Sequence, residues 1–424
     1  MQYSKLERKN QADDLLQVLG VIGLAVHFQP ILNLKSRAVI GYEGLIRGIR
    51  EGGKGLVSPT ALFETARVEN RMVELDRLCR DEILDSYKTI PQPENNYLIF
   101  INIESSLLDK VVTQNGYFLN QVAQRDINPS NVVIEIIESE VTNLNNLIRF
   151  VEYYRYHGFL TALDDVGAGY SNFDRIAAIK PDIIKIDRSI VKNLEKDYHK
   201  QEVFRSLGNL ARKTGTLVLA EGIETEEEAM CAIELDADLV QGYYFARPEP
   251  FREEINKIPQ RMVSRTQDRY RRHKVKEIKA LRGRYHLYEE LIRHLLERIK
   301  DREPDHYNTV LEEMIDCTHY FEALYILDYQ GIQLTETVLS KNTKVKPNRI
   351  FRCARKGDDL SLKKYFYLLV DVELDKYITE SYISLATGNL CRTITTLFKG
   401  KDNKTYVLCM DISENNGKFI YLYG

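Results

Sequence analysis

The sequence predicts an eight-stranded β/α barrel of the TIM type, followed by a long helix and a smaller α+β domain. Short apolar runs alternate with amphipathic stretches over about residues 24–250, which favours a parallel sheet covered by helices. The number of runs and the length that they occupy match a barrel. The predicted strands are Ala25–Leu34, Val39–Leu45, Tyr97–Ile103, Val132–Ile137, Leu160–Leu163, Ile183–Ile186, Leu217–Ala220 and Leu239–Val240.

Polar side chains at the ends of these runs favour the barrel over an open, doubly wound sheet. An open sheet usually has a glycine-rich turn after its first strand, and this sequence has none there. In a barrel the carboxyl ends of all strands converge on one face, so residues far apart in sequence can share a site. The strand-end residues are Glu43, Asn102, Glu135, Asp164, Asp165, Lys185, Glu221 and Gln241.

The composition is that of an ordinary globular protein. Of 424 residues, 44% are hydrophobic and 29% are charged, and the net charge of -3 gives no strong field toward nucleic acid or membranes. The longest apolar stretch, Leu15–Phe28, is interrupted by polar residues and glycines and is too short to span a bilayer, so we expect no membrane span. Six scattered cysteines indicate free thiols in a reducing compartment, which predicts a cytoplasmic protein.

The barrel is predicted to occupy residues 1–250, and residues 251–304 a helical linker. Apolar residues of the linker are spaced alternately three and four apart: Ile278, Leu281, Tyr285, Tyr288, Ile292, Leu295 and Ile299. This heptad pattern fits either a connector helix that packs on its own domains or the seam of a homodimer. The segment Arg261–Arg284 has ten Lys and Arg residues against two acids, and we interpret it as a charged helix face rather than as a nucleic-acid site.

Residues 305–424 are predicted to form the compact α+β domain. Helices are expected over Tyr307–Asp316 and near Leu360–Leu369. Two strands should form a hairpin around Tyr329-Gln330-Gly331, and further strands should complete an antiparallel sheet. The predicted strands are Ala323–Asp328, Ile332–Thr337, Tyr377–Leu385, Cys391–Phe398 and Thr405–Asp411.

The strand-end residues of the barrel suit metal-assisted phosphoryl chemistry. Carboxylates and an amide oxygen are hard ligands, which Mg²⁺ or Mn²⁺ prefers. The adjacent Asp164 and Asp165 can bridge two ions, and two ions can clamp the attacking and leaving oxygens of a phosphodiester. Lys185 can orient a water molecule or stabilise developing charge, and Arg47 offers a planar fork for phosphate.

The sequence resembles the EAL-domain cyclic-di-GMP phosphodiesterases over about residues 20–250. Many separate motifs of that family occur in the family's order. The matching segments are Gln29-Pro30-Ile31, Glu43-Gly44-Leu45-Ile46-Arg47, Ile101–Ser105, Glu135–Glu138, Asp164–Ser171, Lys185-Ile186-Asp187, Ala220–Thr225, Gln241-Gly242-Tyr243 and Arg247-Pro248.

This resemblance implies a two-metal site that hydrolyses cyclic di-GMP to linear pGpG. The implied ligands of the first metal are Glu43, Asn102, Glu135 and Asp164, and those of the second are Asp164 and Asp165. The implied residues around the attacking water are Lys185 and Glu221, with Glu138 anchoring the loop after Asp165. The residues implied to contact the dinucleotide or shape its pocket are Gln29, Leu45, Arg47, Glu224 and Gln241.

The chain departs from the family pattern at Gly44, Ile137 and Val166, where the family has Ala, Thr and Phe. None of the three is an implied metal ligand, so a working enzyme is predicted. The alternative is a catalytically silent receptor for the dinucleotide. A barrel, a long helix and a small α+β module in this order resembles family members with a PAS-like or Cache-like domain, which implies sensory control, an unknown small ligand and a homodimer.

Overall fold

The computed structural model describes residues 5–53, 55–93, 96–104, 116–137, 143–168, 173–341, 343, 352–384 and 387–413. The chain divides into two compact units, Met1–Lys274 and Val275–Gly424. The boundary between them lies inside a helix, so the domain limits predicted near residues 250 and 304 stay predictions.

The first unit begins with a helix and then alternates strands with helices. Its strands are β1 (Gly23–Asn33), β2 (Ala38–Ile49), β3 (Leu56–Val57), β4 (Leu98–Ile103), β5 (Val132–Ile137), β6 (Leu160–Val166), β7 (Ile183–Ile186), β8 (Leu217–Ala220) and β9 (Leu239–Val240). Its described helices are α1 (Lys5–Val18), α2 (Pro59–Val68), α3 (Met72–Lys88), α4 (Tyr117–Ala123), α5 (Leu144–Tyr156), α6 (Phe173–Ile179), α7 (Arg188–Val191), α8 (Tyr198–Thr214) and α9 (Glu226–Glu234).

Eight of these strands close into a ring, which confirms the predicted β/α barrel. Their order is β1-β9-β8-β7-β6-β5-β4-β2, and β1 pairs with β2 to complete the circle. The short strand β3 also pairs with β2 but is not part of the ring. Each of the eight predicted strands overlaps one strand of the ring. Closure leaves no free edge among these eight strands and brings the carboxyl-terminal ends of the parallel strands together.

The expectation of an entirely parallel sheet is wrong for the first strand. β1 runs antiparallel to both of its neighbours, β2 and β9, whereas β4 to β9 follow one another in parallel. The reason is the link between β1 and β2, which spans only residues 34–37. A link of this length can join antiparallel strands, but a parallel crossover needs a dozen or more residues.

The barrel has one apolar layer inside the ring and a larger core between the ring and its helices. The inner layer contains one residue from each of seven strands: Ile31, Phe100, Val133, Ala162, Ile183, Leu219 and Leu239. All seven side chains are buried. This layer fills the barrel beneath the polar residues described below.

The long helix α10 (Lys257–Ile299) contains the basic segment of the sequence. In the first unit, part of its positive charge is neutralised by acids of α9. Lys274 Nζ lies 2.7 Å from Glu234 Oε1, and Arg269 pairs with Glu226. Two basic residues of this segment thus form ion pairs with α9, and its interpretation as a charged helix face rather than a nucleic-acid site stays a prediction.

The second unit is built around an antiparallel sheet. Its helices are α11 (Tyr307–Met314) and α12 (Lys364–Val370), and its strands are β10 (Phe321–Asp328), β11 (Val338–Leu339), β12 (Lys376–Ile378), β13 (Tyr382–Ile383), β14 (Leu390–Lys399) and β15 (Thr405–Ser413). The strand order is β11-β10-β15-β14-β12, with β13 also paired to β14. One core joins this sheet to α11 and the end of α10, and a second core contains residues of α12.

The predicted strand Ile332–Thr337 is wrong. The chain does turn back beside β10, because the Leu334 amide donates to Ile326 O at 2.8 Å. Side chains nevertheless compete with the ladder here: Thr335 Oγ1 accepts from the Ile326 amide at 3.1 Å, and Gln333 Nε2 donates to Thr335 O at 2.9 Å. Such side-chain bonds offer the backbone an alternative to sheet pairing, and the assigned strand is β11.

The strand predicted over Tyr377–Leu385 is divided into the two short strands β12 and β13, and Leu385 lies outside the described residues. The helix predicted near Leu360–Leu369 begins later, at Lys364. The other predicted strands and the helix after residue 305 overlap the observed ones. Within the described ranges, no helix combines the length and apolar character needed to cross a bilayer.

The heptad pattern of α10 has two environments. Tyr288, Ile292, Leu295 and Ile299 are buried in the core of the second unit. In contrast, Ile278 is 55% exposed and Tyr285 is 37% exposed. The unit's own core therefore uses only the carboxyl-terminal half of the seam.

Leu295→Ala should cost the second unit about 3 kcal/mol of unfolding free energy, because Leu295 is fully buried and truncation leaves a cavity. Chemical denaturation of the full chain, followed by circular dichroism, measures this loss. Leu362→Ala is the matched control, since Leu362 is 92% exposed in the same unit. Equal stability of the two variants would contradict the assigned packing.

Candidate active site

A ring of polar side chains lies one level above the apolar layer inside the barrel. On the seven strands that contribute to that layer, the polar residue is two positions from the apolar one. The pairs are Ile31/Gln29, Phe100/Asn102, Val133/Glu135, Ala162/Asp164, Ile183/Lys185, Leu219/Glu221 and Leu239/Gln241. Side chains alternate between faces with a period of two, so both members of each pair face the barrel interior.

β1 follows the same spacing in reverse. Gln29 precedes Ile31, whereas on the parallel strands the polar residue follows the apolar one. The antiparallel direction of β1 requires this reversal, because it reaches the polar level before the apolar level. Gln29 is thereby opposite Glu43 of β2 in the strand register, which brings Glu43 into the same ring.

A bulge in β6 adds a further carboxylate. The register of β6 against β7 shifts between Leu163 and Val166, so Asp164 and Asp165 both lie opposite Lys185. Asp165 has a φ of 57°, a left-handed conformation that Asp tolerates better than most residues. The bulge explains how two adjacent residues can reach one site although strand neighbours normally face opposite sides.

Lys185 is the cationic centre of the ring and is buried. Its Nζ lies 2.5 Å from Glu135 Oε1, 2.7 Å from Glu221 Oε1 and 3.0 Å from Asp164 Oδ2. Three carboxylates therefore lie within ion-pair distance of one ammonium group. Lys185 therefore joins three different strands at one point.

The amide side chains connect the other half of the ring. Asn102 Nδ2 donates to Glu43 Oε1 at 3.0 Å and to Glu135 Oε2 at 2.8 Å. Gln241 Nε2 donates to Glu43 Oε2 at 2.7 Å and to Gln29 Oε1 at 3.2 Å. Both carboxylate oxygens of Glu43 are therefore held in place.

The ring has an excess of negative charge. Burial and the Glu43 carboxylate raise the pKa of Glu135 well above its usual range. Burial, together with Asp164, raises the pKa of Asp165 to about 6. Burial also raises the pKa of Glu221, although Lys185 opposes it. Burial lowers the pKa of Lys185, but the surrounding carboxylates outweigh it and keep the lysine charged.

These residues fit a site for divalent cations. Asp164, Asp165 and Glu221 can each place one oxygen within 4.8 Å of the others. The donors are carboxylate and amide oxygens, which suit hard cations. Five carboxylates in the ring face only one lysine, so added positive charge would relieve their repulsion.

The remaining predicted site residues have separate positions. Leu45 and Arg47 follow Glu43 at steps of two along β2, and both are half-buried. Glu224 is exposed and pairs with Arg188, with Nη2 and Oε1 2.7 Å apart; no described contact joins it to the ring. Glu138 lies outside the described residues.

Glu228 and Gly242, which the sequence did not single out as site residues, support the ring. Glu228 Oε2 accepts from the backbone amides of Glu224 and Thr225 at 2.8 and 3.2 Å, so it fixes the loop after Glu221. The signal was present in the sequence, because Thr225 and Glu228 form a capping box at the start of α9. Gly242 lies against that same loop, where a Cβ would approach Ile223 O to 2.1 Å.

Gly242→Ala should lower the stability of the barrel by roughly 1–3 kcal/mol, because the added methyl group meets backbone atoms that cannot move aside freely. Thermal unfolding of the full chain measures the change. Gly283→Ala is the control, since a Cβ there has nothing within 4 Å and alanine favours a helix interior. A melting curve for Gly242→Ala that overlays the wild-type curve would show that this close approach is not tight.

Comparison with protein families assigns the barrel. Residues 12–248 match the model of the EAL domain. This chain belongs to the EAL domain family. The polar ring therefore lies within an EAL domain.

Individual EAL-domain proteins are also similar to this chain. Over 380 residues the chain is 25% identical to the uncharacterized EAL-domain containing protein YkuI of Bacillus subtilis (strain 168), covering 87% of this chain and 90% of YkuI. It is 30% identical over 226 residues to the probable cyclic di-GMP phosphodiesterase PdeG of Escherichia coli (strain K12), covering 52% of this chain and 44% of PdeG. The chain thus spans nearly all of YkuI but less than half of PdeG.

A solved structure matches the EAL domain together with the second unit. The crystal structure of YkuI, in complex with cyclic di-GMP and calcium, superposes with a TM-score of 0.76 and 22% identity. The match covers 97% of this chain and 99% of that one. At this identity the similarity establishes the fold of both units.

Proposed function

We propose that the barrel hydrolyses cyclic di-GMP to linear pGpG with the help of two divalent cations, Mg²⁺ or Mn²⁺. The observation that carries this proposal is the ring itself, which gathers five carboxylates, three amides and a buried lysine at one level of an EAL barrel. Curated relatives of the same barrel, such as PdeG, are named as probable cyclic di-GMP phosphodiesterases.

The ring offers ligands for two cations. We assign Glu43, Asn102, Glu135 and Asp164 to the first, and Asp164 with Asp165 to the second. Bound cations would polarise the phosphoryl group and make a bound water a stronger nucleophile. Asn102 now presents its amide nitrogen to Glu43 and Glu135, so ligation through its oxygen requires a half-turn of the amide.

Lys185 and Glu221 are the residues proposed to act on the attacking water. Glu221 is half-buried whereas Lys185 is fully buried, so the glutamate is the member of the pair that water can reach. Its carboxylate can accept a hydrogen bond from the water and then the proton. Lys185 holds that carboxylate by the 2.7 Å contact and keeps it oriented.

The residues proposed to contact the dinucleotide are assigned by their place in the ring or beyond it along β2. Gln29 and Gln241 are two of the amide residues in the ring. Leu45 and Arg47 follow Glu43 on the same face of β2. Arg47 Nη1 donates to Ile46 O at 2.8 Å, which leaves further guanidinium donors for phosphate. Glu224 is also assigned to the dinucleotide, and Glu138 is assigned to anchor the loop after Asp165.

Incubation of the purified full chain with cyclic di-GMP and Mg²⁺ or Mn²⁺, analysed by chromatography, tests the proposal. We expect pGpG to accumulate with either cation and the reaction to stop when EDTA removes the metal. Binding of the dinucleotide without turnover, under both metals, would instead identify a silent receptor. Failure to bind it at all would contradict both assignments.

We further propose that the second unit controls the barrel in response to a small ligand and that the chain forms a homodimer. The heptad residues Ile278, Leu281 and Tyr285 are not part of the second unit's buried core, and a partner helix could cover them. The proposed location is the cytoplasm, which suits six cysteines that form no disulfide.

Ile278→Asp should convert the dimer to monomer, because a carboxylate in a coiled-coil seam has no counter-charge on the symmetry-related helix. Sedimentation of wild type and variant at equal concentration measures the change. Lys279→Asp is the control, since it alters the adjacent residue, which is exposed and outside the seam. A monomeric wild-type chain would exclude the dimer.

A further inference from the structure

The second unit contains two acids, one buried and one half-buried, that the barrel chemistry does not use. Glu322 of β10 is 2% exposed. Asp411 of β15 is half-buried, and its strand partner is Ala323, next to Glu322. The register of β10 shifts between Phe321 and Ala323, and a bulge of this kind can turn Glu322 toward the face that Asp411 occupies.

Neither acid has a cationic partner in the described part of the chain. Asp411 Oδ1 accepts from Thr393 Oγ1 at 2.7 Å, and Glu322 Oε1 accepts from Asn389 Nδ2 at 2.7 Å. Glu322 Oε2 is buried and has no hydrogen-bond partner among the residues that the structure describes. Buried carboxylates are normally paired with a cation or fully hydrogen-bonded, so this pair has capacity for an incoming donor.

Three tyrosines lie near enough to Asp411 for its charge to help raise their pKa values: Tyr325, Tyr365 and Tyr382. The single proton of the Thr393 hydroxyl goes to Asp411, so Tyr382 must be the donor in the 2.8 Å contact between the Tyr382 and Thr393 hydroxyls. Tyr325 donates to the Tyr365 hydroxyl at 3.1 Å. Burial and the charge of Asp411 raise the pKa of Tyr325, and burial chiefly raises that of Tyr365, so both stay neutral.

From this arrangement we infer that the second unit binds a small organic ammonium ion between Asp411 and Glu322, beside Tyr325, Tyr365 and Tyr382. An ammonium group supplies the positive charge and the N–H donors that the two carboxylates lack. Phenol rings add a favourable face for an organic cation. A bare metal ion fits less well, because the acids that can cluster as metal ligands in the described residues all lie in the barrel.

The charge state of Asp411 is compatible with this role. Burial raises the pKa of Asp411 to about 7, with Thr393 opposing the rise and Glu322 adding to it. A cation at this position would favour the ionised form. Binding assays should therefore be made at pH 8, where the carboxyl group is largely ionised without ligand.

Calorimetric titration of the full chain with butylammonium chloride at pH 8 tests the inference, with methylammonium and tetramethylammonium as further probes. We expect saturable binding of at least one ammonium and none of butanol or butyrate, which have the same chain without the positive charge. The inference gives the proposed sensory role a ligand class, but this readout does not involve the barrel reaction. A chain without phosphodiesterase activity can thus still pass the test.

Variants locate the site. Asp411→Asn and Glu322→Gln keep the side-chain volume and should weaken ammonium binding at least tenfold and at least threefold, respectively. The matched controls Asp371→Asn and Glu313→Gln change exposed acids of the same unit and should bind as wild type. Because the chain has 26 tyrosines and no tryptophan, tyrosine difference absorbance of the unmodified chain gives a second measurement that needs no variant.

The difference signal should follow the calorimetric saturation curve. No saturable binding of any of the three ammonium probes would overturn the inference. Binding that is unchanged in both site variants, or that butanol reproduces, would overturn it as well. Competition by millimolar Ca²⁺ at equal or higher affinity would show that the site selects a metal ion instead.

Discussion

Lys185→Ala is expected to lower the turnover of cyclic di-GMP by about 10³-fold while the dinucleotide still binds. Lys185 contacts Glu135, Asp164 and Glu221 at once. Its loss frees Glu221 from its anchor and removes the fixed positive charge beside the reacting phosphate. Binding contacts from Gln29, Arg47 and Gln241 are untouched, so the defect should appear in kcat rather than in KM.

The same substitution should also destabilise the metal-free barrel. Removing one partner of a buried ion pair typically costs about 3–5 kcal/mol, because the other charge is left without compensation. Here Glu135, which is fully buried, would lose its cation. Added Mg²⁺ should recover part of this loss, since a divalent ion can replace the missing charge.

Lys213→Ala provides the control, because Lys213 is an exposed lysine on α8 of the same barrel. It should retain wild-type turnover and stability. Single-turnover kinetics with pre-bound substrate separate the chemical step from binding. Turnover of Lys185→Ala within tenfold of wild type would remove Lys185 from the proposed machinery.

Glu43→Gln should lower turnover by about 10³-fold for a different reason, the loss of metal affinity. The substitution keeps the side-chain volume and an oxygen for Asn102, so the barrel should fold. It removes one of five carboxylates that together attract the cations. Isothermal titration with Mn²⁺ should show at least tenfold weaker binding than the wild type.

The thermal stability of Glu43→Gln shows whether its inactivity comes from metal loss or from a folding defect. Without metal, removing a carboxylate relieves repulsion in the ring, since the Glu43 charge helps to raise the pKa of Glu135. Glu43→Gln should therefore melt at the same or a higher temperature than wild type when EDTA is present, although it is inactive. Glu64→Gln, at an exposed glutamate of α2, is the control. A variant that is both unstable and inactive would indicate misfolding rather than metal loss.

Much of the barrel could be predicted because its signal is local. Each strand is a short apolar run, and the polar residue at its end was visible in the sequence. The direction of β1 was harder to predict, since it depends on the four-residue link to β2 and on closure of the ring. The bulge at Asp165 could not be predicted, because it depends on the register between β6 and β7, which the residues around Asp165 do not specify.

In the second unit, less of the structure could be predicted from local sequence. Its longest strands, β10, β14 and β15, were found because their apolar patterns are strong. The segment Ile332–Thr337 has a strand-like composition, yet hydrogen bonds of Thr335 and Gln333 withdraw it from the ladder. The place of Glu322 near Asp411 depends on strand register and on a bulge in β10, and local sequence specifies neither.

The two-residue offset between apolar and polar levels has a consequence for how this barrel tolerates length changes. A single residue inserted at the centre of β4, β5 or β7 would move the polar side chain to the outer face, under the helices, and bring an apolar one into the ring. Such an insertion would remove a ring residue and bury a polar group in one step. β6 has accommodated one extra residue, and there the left-handed backbone of Asp165 absorbs it.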